Sequence, residues 1–154
     1  MRLIRFTEEA ARVIQYSVQE ATVRGTDHVN PRLLLKGILC SQSCTAVQVL
    51  KNCGVDLQAF SQVLDMLLPP CQGDISKSKP ILGPESKRCI DFAYEEARAI
   101  KSRRLGSELI LLSLMRSDDL ELRGIFDGFG LCLEMVRKEV SQLKTKPGLQ
   151  PSIS

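Results

Sequence analysis

The sequence has no tryptophan, a single histidine and few aromatic residues, which together make up 5% of its 154 residues. A hydrophobic core with this composition must consist mainly of Leu, Ile, Val, Ala and Met. Such an aliphatic core suits packed helices better than a sheet. The shares of apolar residues (44%) and charged residues (25%) are those of a globular protein.

Long apolar runs and concentrated charge are also lacking. No apolar run is long enough to cross a bilayer, and the N-terminus runs at once into charged residues, without the apolar run of a secretory signal peptide. The formal net charge is only +3, and the basic segments 101–104 and 137–146 are more simply interpreted as solvated helix ends than as a nucleic-acid-binding face. We therefore predict a cytoplasmic protein that binds neither membranes nor nucleic acid.

Residue patterns typical of enzymes and metal sites are missing. No Gly-Lys dipeptide occurs, so there is no P-loop to hold a nucleotide. A structural zinc site needs four ligands with closely spaced pairs, whereas His28 is the only histidine and only Cys40 and Cys44 are close together. A Cys–His nucleophile also needs a third group that orients the histidine. We predict no catalytic residue, no metal and no cofactor.

Most of the six cysteines lie at apolar positions of the predicted helices. In a cytosolic chain such residues are expected to be free, buried thiols rather than disulfides. They are Cys40, Cys44, Cys53, Cys71, Cys89 and Cys132.

The sequence does contain an internal repeat with an offset of 76 residues. The apolar segment 33–39 recurs as 109–115, and the segments 6–68 and 82–144 align without a gap. Identical pairs at this offset include Arg12 with Arg88 and Gly54 with Gly130. A unit of about 60 residues buries too little surface to be stable alone. We therefore expect the two repeats to pack face to face with pseudo-two-fold symmetry.

Each repeat predicts four helices. In repeat one, the first helix is capped by Thr7 and stopped by Gly25 near Arg24. The second covers 31–41, with Asn30 as its cap and Pro31 at its first position. The third is capped by Ser43 or Thr45 and ended by Gly54, and the fourth is capped by Asp56 and ended by Pro69 and Pro70. In repeat two, Pro84 occupies the start of the first helix.

The predicted fold class is thus all-α, a tandem repeat of two four-helix units with about eight helices. The predicted organisation is a double repeat domain over 1–144, with repeat one at 6–68, a linker at 69–82 and repeat two at 83–143. A flexible tail follows at 145–154, because its prolines and glycine leave nothing to pack.

Both repeats contain segments that resemble the Clp amino-terminal domain, also called the Clp repeat domain. They are Phe6-Thr7, Gln19-Glu20-Ala21, Leu34 to Leu39 and Cys53 to Asp56 in repeat one, and Glu95 to Arg98 and Leu105 to Glu108 in repeat two. The resemblance covers nearly all of 6–143, and the tandem arrangement is part of it. It implies the double-repeat fold that caps the ClpA, ClpB and ClpC unfoldases and stands alone in small Clp accessory proteins.

The resemblance also implies candidate binding residues. In ClpC-like members, glutamates near the paired helix starts help to hold phosphorylated arginine. The corresponding positions here are Arg32 and Glu108, so only Glu108 could accept a guanidinium, whereas Arg32 would repel one and could pair with a phosphate or carboxylate. The alternative for Glu108 is an acid in the first turn of a helix, stabilised by the helix dipole. The candidate partner-binding set is Thr7, Val29, Arg32, Gly106, Ser107 and Glu108, while Leu33, Leu35 and Ile38 are predicted to lie in the core.

Three functional hypotheses follow. The favoured one is a non-catalytic accessory or adaptor protein that binds a ClpC- or ClpA-like AAA+ ATPase, Clp protease subunits, or their substrate or adaptor proteins, and so modulates regulated proteolysis. The alternative is a stand-alone peptide- or phosphoarginine-binding module outside proteolysis. The weakest is a cysteine-dependent enzyme.

Overall fold

The computed structural model describes residues 3–71 and 79–145, which contain eight helices and four short strands. The helices are α1 Glu8–Val23, α2 Pro31–Cys40, α3 Thr45–Asn52, α4 Leu57–Asp65, α5 Pro84–Ala99, α6 Ser107–Met115, α7 Leu120–Gly128 and α8 Leu133–Thr145. The strands are β1 Arg5–Phe6, β2 His28–Val29, β3 Ile81–Leu82 and β4 Arg104–Leu105. The predicted all-α double repeat is confirmed. Most of the predicted linker and tail, at 72–78 and 146–154, lies outside the described residues.

Three of the predicted helix starts have the expected side-chain caps. Thr7 Oγ1 accepts a hydrogen bond from the Ala10 amide (3.1 Å), and Asn30 Oδ1 accepts one from the Leu33 amide (2.9 Å). Asp56 caps α4 in the same way. Each cap satisfies an amide that has no partner within its own helix.

The start of α3 differs from the prediction. The N-cap residue is Cys44, which makes no side-chain cap, so neither Ser43 nor Thr45 has this role. Instead, Glu9 Oε1 accepts from the Thr45 amide (3.0 Å), and Ser107 Oγ accepts from the Ala46 amide (3.0 Å). The cap of α3 is therefore supplied by α1 and by repeat two, which no local pattern reveals.

The end of α4 also differs from the prediction. The helix ends at Asp65, before the two prolines that were expected to stop it. The amides of Leu67 and Leu68 then bond to the carbonyls of Leu64 and Asp65, at 2.9 and 3.2 Å, in a closing turn. The prolines thus follow the turn rather than break the helix.

The four strands, which the sequence did not predict, connect the two repeats. They form two parallel pairs, β1 with β4 and β2 with β3, in which Phe6 aligns with Leu105 and Val29 with Leu82. Each repeat thus pairs its first strand with the second strand of the other, as a pseudo-two-fold axis requires. Ile81–Leu82 was placed in the linker and His28 in a turn, because two residues are too few to show the alternation of a strand.

The core of the molecule is centred on α2 and α6. Leu33, Leu35 and Ile38 are fully buried, which confirms their predicted place in the core. All residues of α6 except Met115 are buried, so this helix runs through the interior. These two helices correspond to the duplicated segment of the sequence, and their starts lie where the repeats meet.

All six cysteines are free thiols, but their burial differs from the prediction. Cys44 and Cys89 are buried, as expected. Cys40 and Cys53 are half-buried, and Cys71 and Cys132 are exposed.

Candidate functional site

A cleft opens between the repeats, where the starts of α2 and α5 face the loop between α6 and α7. It has a volume of about 540 Å³ and is lined by residues that include Arg32, Arg88, Phe92 and Asp118. We call it the inter-repeat cleft. Its size falls in the range of about 300–1,000 Å³ that is usual for ligand sites.

Arg32, at the start of α2, joins the two repeats across this cleft. Its Nε and Nη2 donate to the two carboxylate oxygens of Asp119, at 2.6 and 3.1 Å, and its Nη1 donates to the Leu67 carbonyl at 3.2 Å. Its Nη2 also lies 3.3 Å from a carboxylate oxygen of Glu121. The guanidinium is thus bound bidentately by repeat two, the geometry in which Arg pairs are strongest.

Asp119 has a second role, because it caps α7. It accepts from the amides of Glu121 and Leu122, at 3.1 and 3.2 Å, as well as from Arg32. The hydrogen bond from Arg32 and those backbone bonds outweigh the effect of burial and hold the pKa of this carboxyl below its usual value. Asp119 therefore stays ionised, and the Arg32–Asp119 pair connects the start of α2 to the start of α7.

The outer edge of the cleft is more accessible. Arg88 keeps 65% of its side chain exposed and pairs with Asp118 at 3.2 Å. An exposed pair of this kind contributes little to stability, so an incoming charged group could replace either partner. Phe92 is half-buried, with the Arg116 guanidinium 4.3 Å from its ring centre. A cation, an anion and an aromatic face are thus close together at this edge.

The equivalent start of α6 in repeat two is filled by its own side chains. Glu108 is only 4% exposed, and its carboxylate lies against Gly106, where an added Cβ would overlap it. Ser107 is fully buried and holds the start of α3. The structure therefore places Arg32 at an open cleft and Glu108 in the interior.

The remaining predicted site residues belong to the framework. Thr7 caps α1, and Val29 is fully buried in β2, where its carbonyl accepts from Ser86 Oγ at 2.6 Å. Gly106 precedes α6 as its N-cap residue. Of the six predicted residues, Arg32 is the one that lines the inter-repeat cleft.

Sequence reasoning missed Arg88, Phe92 and Asp118 as cleft residues. A signal was available, because Arg88 repeats Arg12 at the offset of 76 residues and Phe92 takes the place of Tyr16. The repeat alignment pairs Arg88 with Arg12 and Phe92 with Tyr16, but it does not show that the starts of α2 and α5 face the loop that carries Asp118.

Glu96, in the family-like segment Glu95 to Arg98, carries a buried carboxylate. It is 6% exposed and accepts hydrogen bonds from Arg137 (2.6 and 3.0 Å) and Arg116 (3.0 Å). Burial alone would raise the pKa of Glu96, but the two guanidinium groups outweigh it and lower that pKa. The network joins α5, α6 and α8.

Three of the six thiols have raised pKa values. Burial raises the pKa of Cys89, which lines the inter-repeat cleft, to about 11. Burial also raises the pKa values of Cys40 and Cys53. A nucleophilic cysteine needs a lowered pKa to form its thiolate, so these three side chains give no support to a cysteine-dependent enzyme.

No group of three or more His, Cys, Asp or Glu side chains in 3–71 and 79–145 is arranged to hold a metal ion. In the same residues no single helix is long and apolar enough to cross a membrane. Only α2 and α3 taken together reach that length and apolar content, and the chain bends by 89° between them.

Comparison with known proteins shows one family. The model of the Clp repeat (R) N-terminal domain matches residues 5–129. A ClpA homolog of Guillardia theta is 30% identical over 139 residues, and chloroplastic ClpC2 of Arabidopsis thaliana is 28% identical over the same length. These alignments cover 90% of this chain but only 17% and 14% of the two relatives, so the chain spans about a sixth of their length.

Solved structures show the same fold. The N-terminal domain of Hsp104 from Candida albicans superimposes with a TM-score of 0.74 at 18% identity, covering 95% of this chain and 93% of that one. A ClpV N-domain in complex with a VipB peptide gives a TM-score of 0.71 at 16% identity, covering 88% of this chain and 84% of that one.

Proposed function

The chain belongs to the Clp repeat (R) N-terminal domain family, and we propose that it acts as a non-catalytic accessory or adaptor module. Its partners would be a ClpC- or ClpA-like AAA+ unfoldase, Clp protease subunits, or their substrate and adaptor proteins. By binding them it would modulate regulated proteolysis. The proposal concerns these 154 residues, which contain no P-loop.

The observation that carries the proposal is the similarity of the described chain to a domain solved with a bound peptide. The ClpV N-domain with its VipB peptide shares the fold over 88% of this chain. The raised pKa values of Cys40, Cys53 and Cys89 argue against the cysteine-dependent enzyme, since each disfavours the thiolate that such an enzyme needs.

The inter-repeat cleft is the surface that we propose for the partner. Arg88 and Asp118 are exposed there as a replaceable pair, and Phe92 offers an aromatic face beside them. A protein segment with a carboxylate and an apolar side chain could pair with Arg88 and pack on that ring. Arg32 would define the floor of the cleft and stay bound to Asp119.

The test measures the effect of the purified chain on a reconstituted ClpC-type ATPase and its peptidase. We expect the chain to bind the ATPase and to change the rate at which a fluorescein-labelled unfolded protein is degraded. Arg88→Glu should weaken that binding by about fivefold or more, since it reverses a charge at the partner surface.

Arg12→Glu is the matched control for this experiment. Arg12 is the repeat-one equivalent of Arg88, is 54% exposed and pairs only weakly with Glu8 at 3.5 Å. This variant should bind normally. The proposal is refuted if the wild-type chain neither binds the ATPase nor changes the degradation rate. Equal losses in both variants would refute the assignment to the inter-repeat cleft.

The phosphoarginine-binding alternative stays a prediction. Titration of the chain with a phosphoarginine peptide tests it, with Glu108→Ala as the variant. Because Glu108 is buried against Gly106, the domain would have to open for this carboxylate to meet a guanidinium. The cytoplasmic location also stays a prediction, since the relatives include chloroplast proteins.

A further inference from the structure

A second cavity, of about 530 Å³, lies within repeat one and shares no lining residue with the inter-repeat cleft. It is a groove bordered by α2, α3 and α4, and we call it the α2–α4 groove. Its apolar lining consists of Leu39, Val47 and Leu57. Its rim carries three glutamines, Gln42, Gln58 and Gln62.

The equivalent surface of repeat two is crossed by arginines. Val47 and Ser61 correspond to Arg123 and Arg137 at the offset of 76 residues. Arg123 Nε donates to the Ser117 carbonyl at 2.7 Å, and Arg137 reaches Glu96. The smaller side chains of Val47 and Ser61 leave the same region open in repeat one.

The charge of the two surfaces also differs. Lys51 is the only charged residue among those that line the α2–α4 groove, and it is exposed. Within the described part of the chain it takes part in none of the ion pairs. Its equivalent in repeat two is Asp127, and Gln58 and Gln62 are replaced by Glu134 and Lys138. The groove is thus weakly cationic, whereas its counterpart carries both signs.

Glutamine side chains suit a peptide ligand. Each amide offers two N–H donors and a carbonyl acceptor, so it can pair with both the N–H and the C=O of a peptide backbone. Such pairing does not depend on the side chains of the ligand. Specificity would come from the aliphatic floor and from Lys51, which favours a carboxylate.

The backbone at the rim fixes where one of the glutamines lies. Gln42 has φ +44° and directly follows Ser41, the C-cap of α2, so its left-handed conformation ends that helix. Its repeat-two equivalent, Asp118, does not share this conformation. The end of α2 thus places Gln42 at the border of the groove.

We propose that the α2–α4 groove binds a short acidic peptide segment through one aliphatic anchor side chain. The anchor packs on Leu39 and Leu57, a neighbouring carboxylate pairs with Lys51, and the glutamines hold the peptide backbone. The inference rests on the proposed function only in that the ligand is a protein segment, and it names a second contact site on the same domain.

The test applies the full 154-residue chain to an array of synthetic nonapeptides. Every peptide carries one Leu or Ile, and the remaining positions are Gly, Ala and Ser with two Asp or Glu, with two Lys or Arg, or with no charge. We expect the acidic set to be bound preferentially. The best peptides are then titrated in solution by fluorescence anisotropy.

Two variants locate the binding in the α2–α4 groove. Lys51→Glu reverses the only charge in the lining of the groove, and Ser61→Leu fills part of the groove with an uncharged side chain. Each should weaken binding of the acidic peptides by about tenfold, since the first change removes a charge-assisted contact and the second takes the space of the anchor side chain. Lys138→Glu makes the same charge change as Lys51→Glu in repeat two and should stay within about twofold of wild type.

Circular dichroism verifies that each variant is folded, and Lys51→Glu, at an exposed position, keeps the test valid if Ser61→Leu unfolds. The inference is overturned if the array shows no acidic preference, or if folded Lys51→Glu binds as wild type does. Equal weakening by Lys138→Glu also overturns it. If the chain binds acidic peptides but neither binds the Clp ATPase nor changes degradation, the proposed function is refuted and the groove assignment stands. If the chain binds the ATPase but no acidic peptide, only the groove assignment is refuted.

Discussion

Four helices of this domain end in the same type of turn, in which one residue has a left-handed backbone conformation. At three of them this residue is glycine, and at the fourth it is lysine. After α1, α3 and α7, the residue in the left-handed conformation is Gly25, Gly54 or Gly130. After α5 it is Lys101, at φ +56°. The hydrogen bonds are equivalent, since the amide following each of these residues bonds to the carbonyl five positions earlier, as in Thr26 to Ala21 and Ser102 to Ala97.

Lys101→Gly should therefore stabilise the protein. Removing the Cβ relieves a left-handed conformation that costs a non-glycine residue about 1–2 kcal/mol, part of which is offset by the greater freedom of glycine in the unfolded chain. We expect the free energy of unfolding, measured by urea denaturation, to rise by about 0.5–1 kcal/mol. Gly25→Ala, the opposite change at the equivalent turn, should lower it by about 1 kcal/mol. A destabilised Lys101→Gly variant would contradict this account.

Glu96 should contribute to acid unfolding. Its pKa in the folded protein is lowered by Arg137 and Arg116 against the effect of burial, so the folded state favours the ionised form. The resulting stability is fully present above the unfolded pKa of about 4.3 and is lost as the pH falls through the folded value. Glu96→Gln should therefore lose stability at pH 7 and show a flatter decline in the free energy of unfolding below about pH 4.5.

The control for this prediction is Glu95→Gln. Glu95 is half-exposed and pairs with Arg116 alone, at 2.9 Å. Its variant should keep nearly the wild-type slope between pH 5 and pH 2. Parallel curves for wild type and Glu96→Gln would mean that this buried carboxylate does not govern the acid response.

At the scale of the helices, α1 and α2 cross closely because Gly37 has no side chain. A Cβ on Gly37 would overlap Ser17 Oγ and lie about 2.5 Å from the carbonyl oxygen of Val13. At the repeat-two crossing the equivalent residues are Ser113 and Ala93, so the small residues are distributed differently there. The backbone contact makes Gly37 a requirement of this crossing.

Gly37→Ala should lower the free energy of unfolding by about 1–3 kcal/mol, as overpacking in a core does. Adding Ser17→Ala should restore only part of the loss, since the Val13 carbonyl remains in place. Gly124→Ala is the matched control, because Gly124 lies in α7 with no atom within 4 Å of an added Cβ. It should raise stability by about 0.5–1 kcal/mol through helix propensity. The denaturation midpoints of the wild type and of these three variants test the prediction.

The helices show which features a sequence can reveal. Thr7, Asn30 and Asp56 were predicted as caps because each side chain bonds to an amide two or three positions away. The cap of α3 was missed because Glu9 is 36 positions and Ser107 61 positions from the amides that they bind. The sequence thus predicts hydrogen bonds between residues that are close along the chain. Hydrogen bonds between the repeats can be seen only in the folded structure.

The candidate site was predictable to the same extent. The sequence marked Arg32 as a basic residue at an acidic family position, and the structure places it at the inter-repeat cleft. Its partner, Asp119, is 87 positions away, and no pattern in the sequence indicates that the two residues pair. For Glu108 the sequence predicted the helix start but not the burial, because burial depends on how α6 is covered by its neighbours.

At the scale of the whole molecule, the exchanged strands make each repeat depend on the other. The Thr7 amide bonds to the Leu105 carbonyl, and the Gly83 amide bonds to the Val29 carbonyl, each at 3.0 Å. α3 is capped by Ser107 of the other repeat. Urea unfolding should therefore be a single transition, with coincident curves from circular dichroism and from tyrosine fluorescence, whose two reporters Tyr16 and Tyr94 lie in different repeats. Separated curves would show that the repeats unfold independently.

The Arg32–Asp119 pair allows the strongest test of that dependence. It joins the repeats with both side chains about one-fifth exposed, so water screens it less than a surface pair. Removing one partner leaves a charge poorly satisfied, and Arg32→Ala should cost about 1.5–3 kcal/mol. In a double-mutant cycle with Asp119→Asn, we expect a coupling energy of about 1–3 kcal/mol at pH 7. The cycle with Arg88→Ala and Asp118→Asn, an exposed pair, should give less than about 1 kcal/mol.

The pH dependence of this coupling separates an ion pair from simple packing. Arg32 lowers the pKa of Asp119 in the folded state, so the stabilisation is present above the unfolded pKa of about 3.9 and disappears as the pH falls through the lower folded value. A coupling energy that persists unchanged at pH 2 would mean that shape rather than charge holds the pair together. We expect the coupling energy to fall at low pH. We also expect wild type to unfold in a single transition and Arg32→Ala to unfold in a broader one. Together these results would show that the ion pair joins repeat one to repeat two at the cleft.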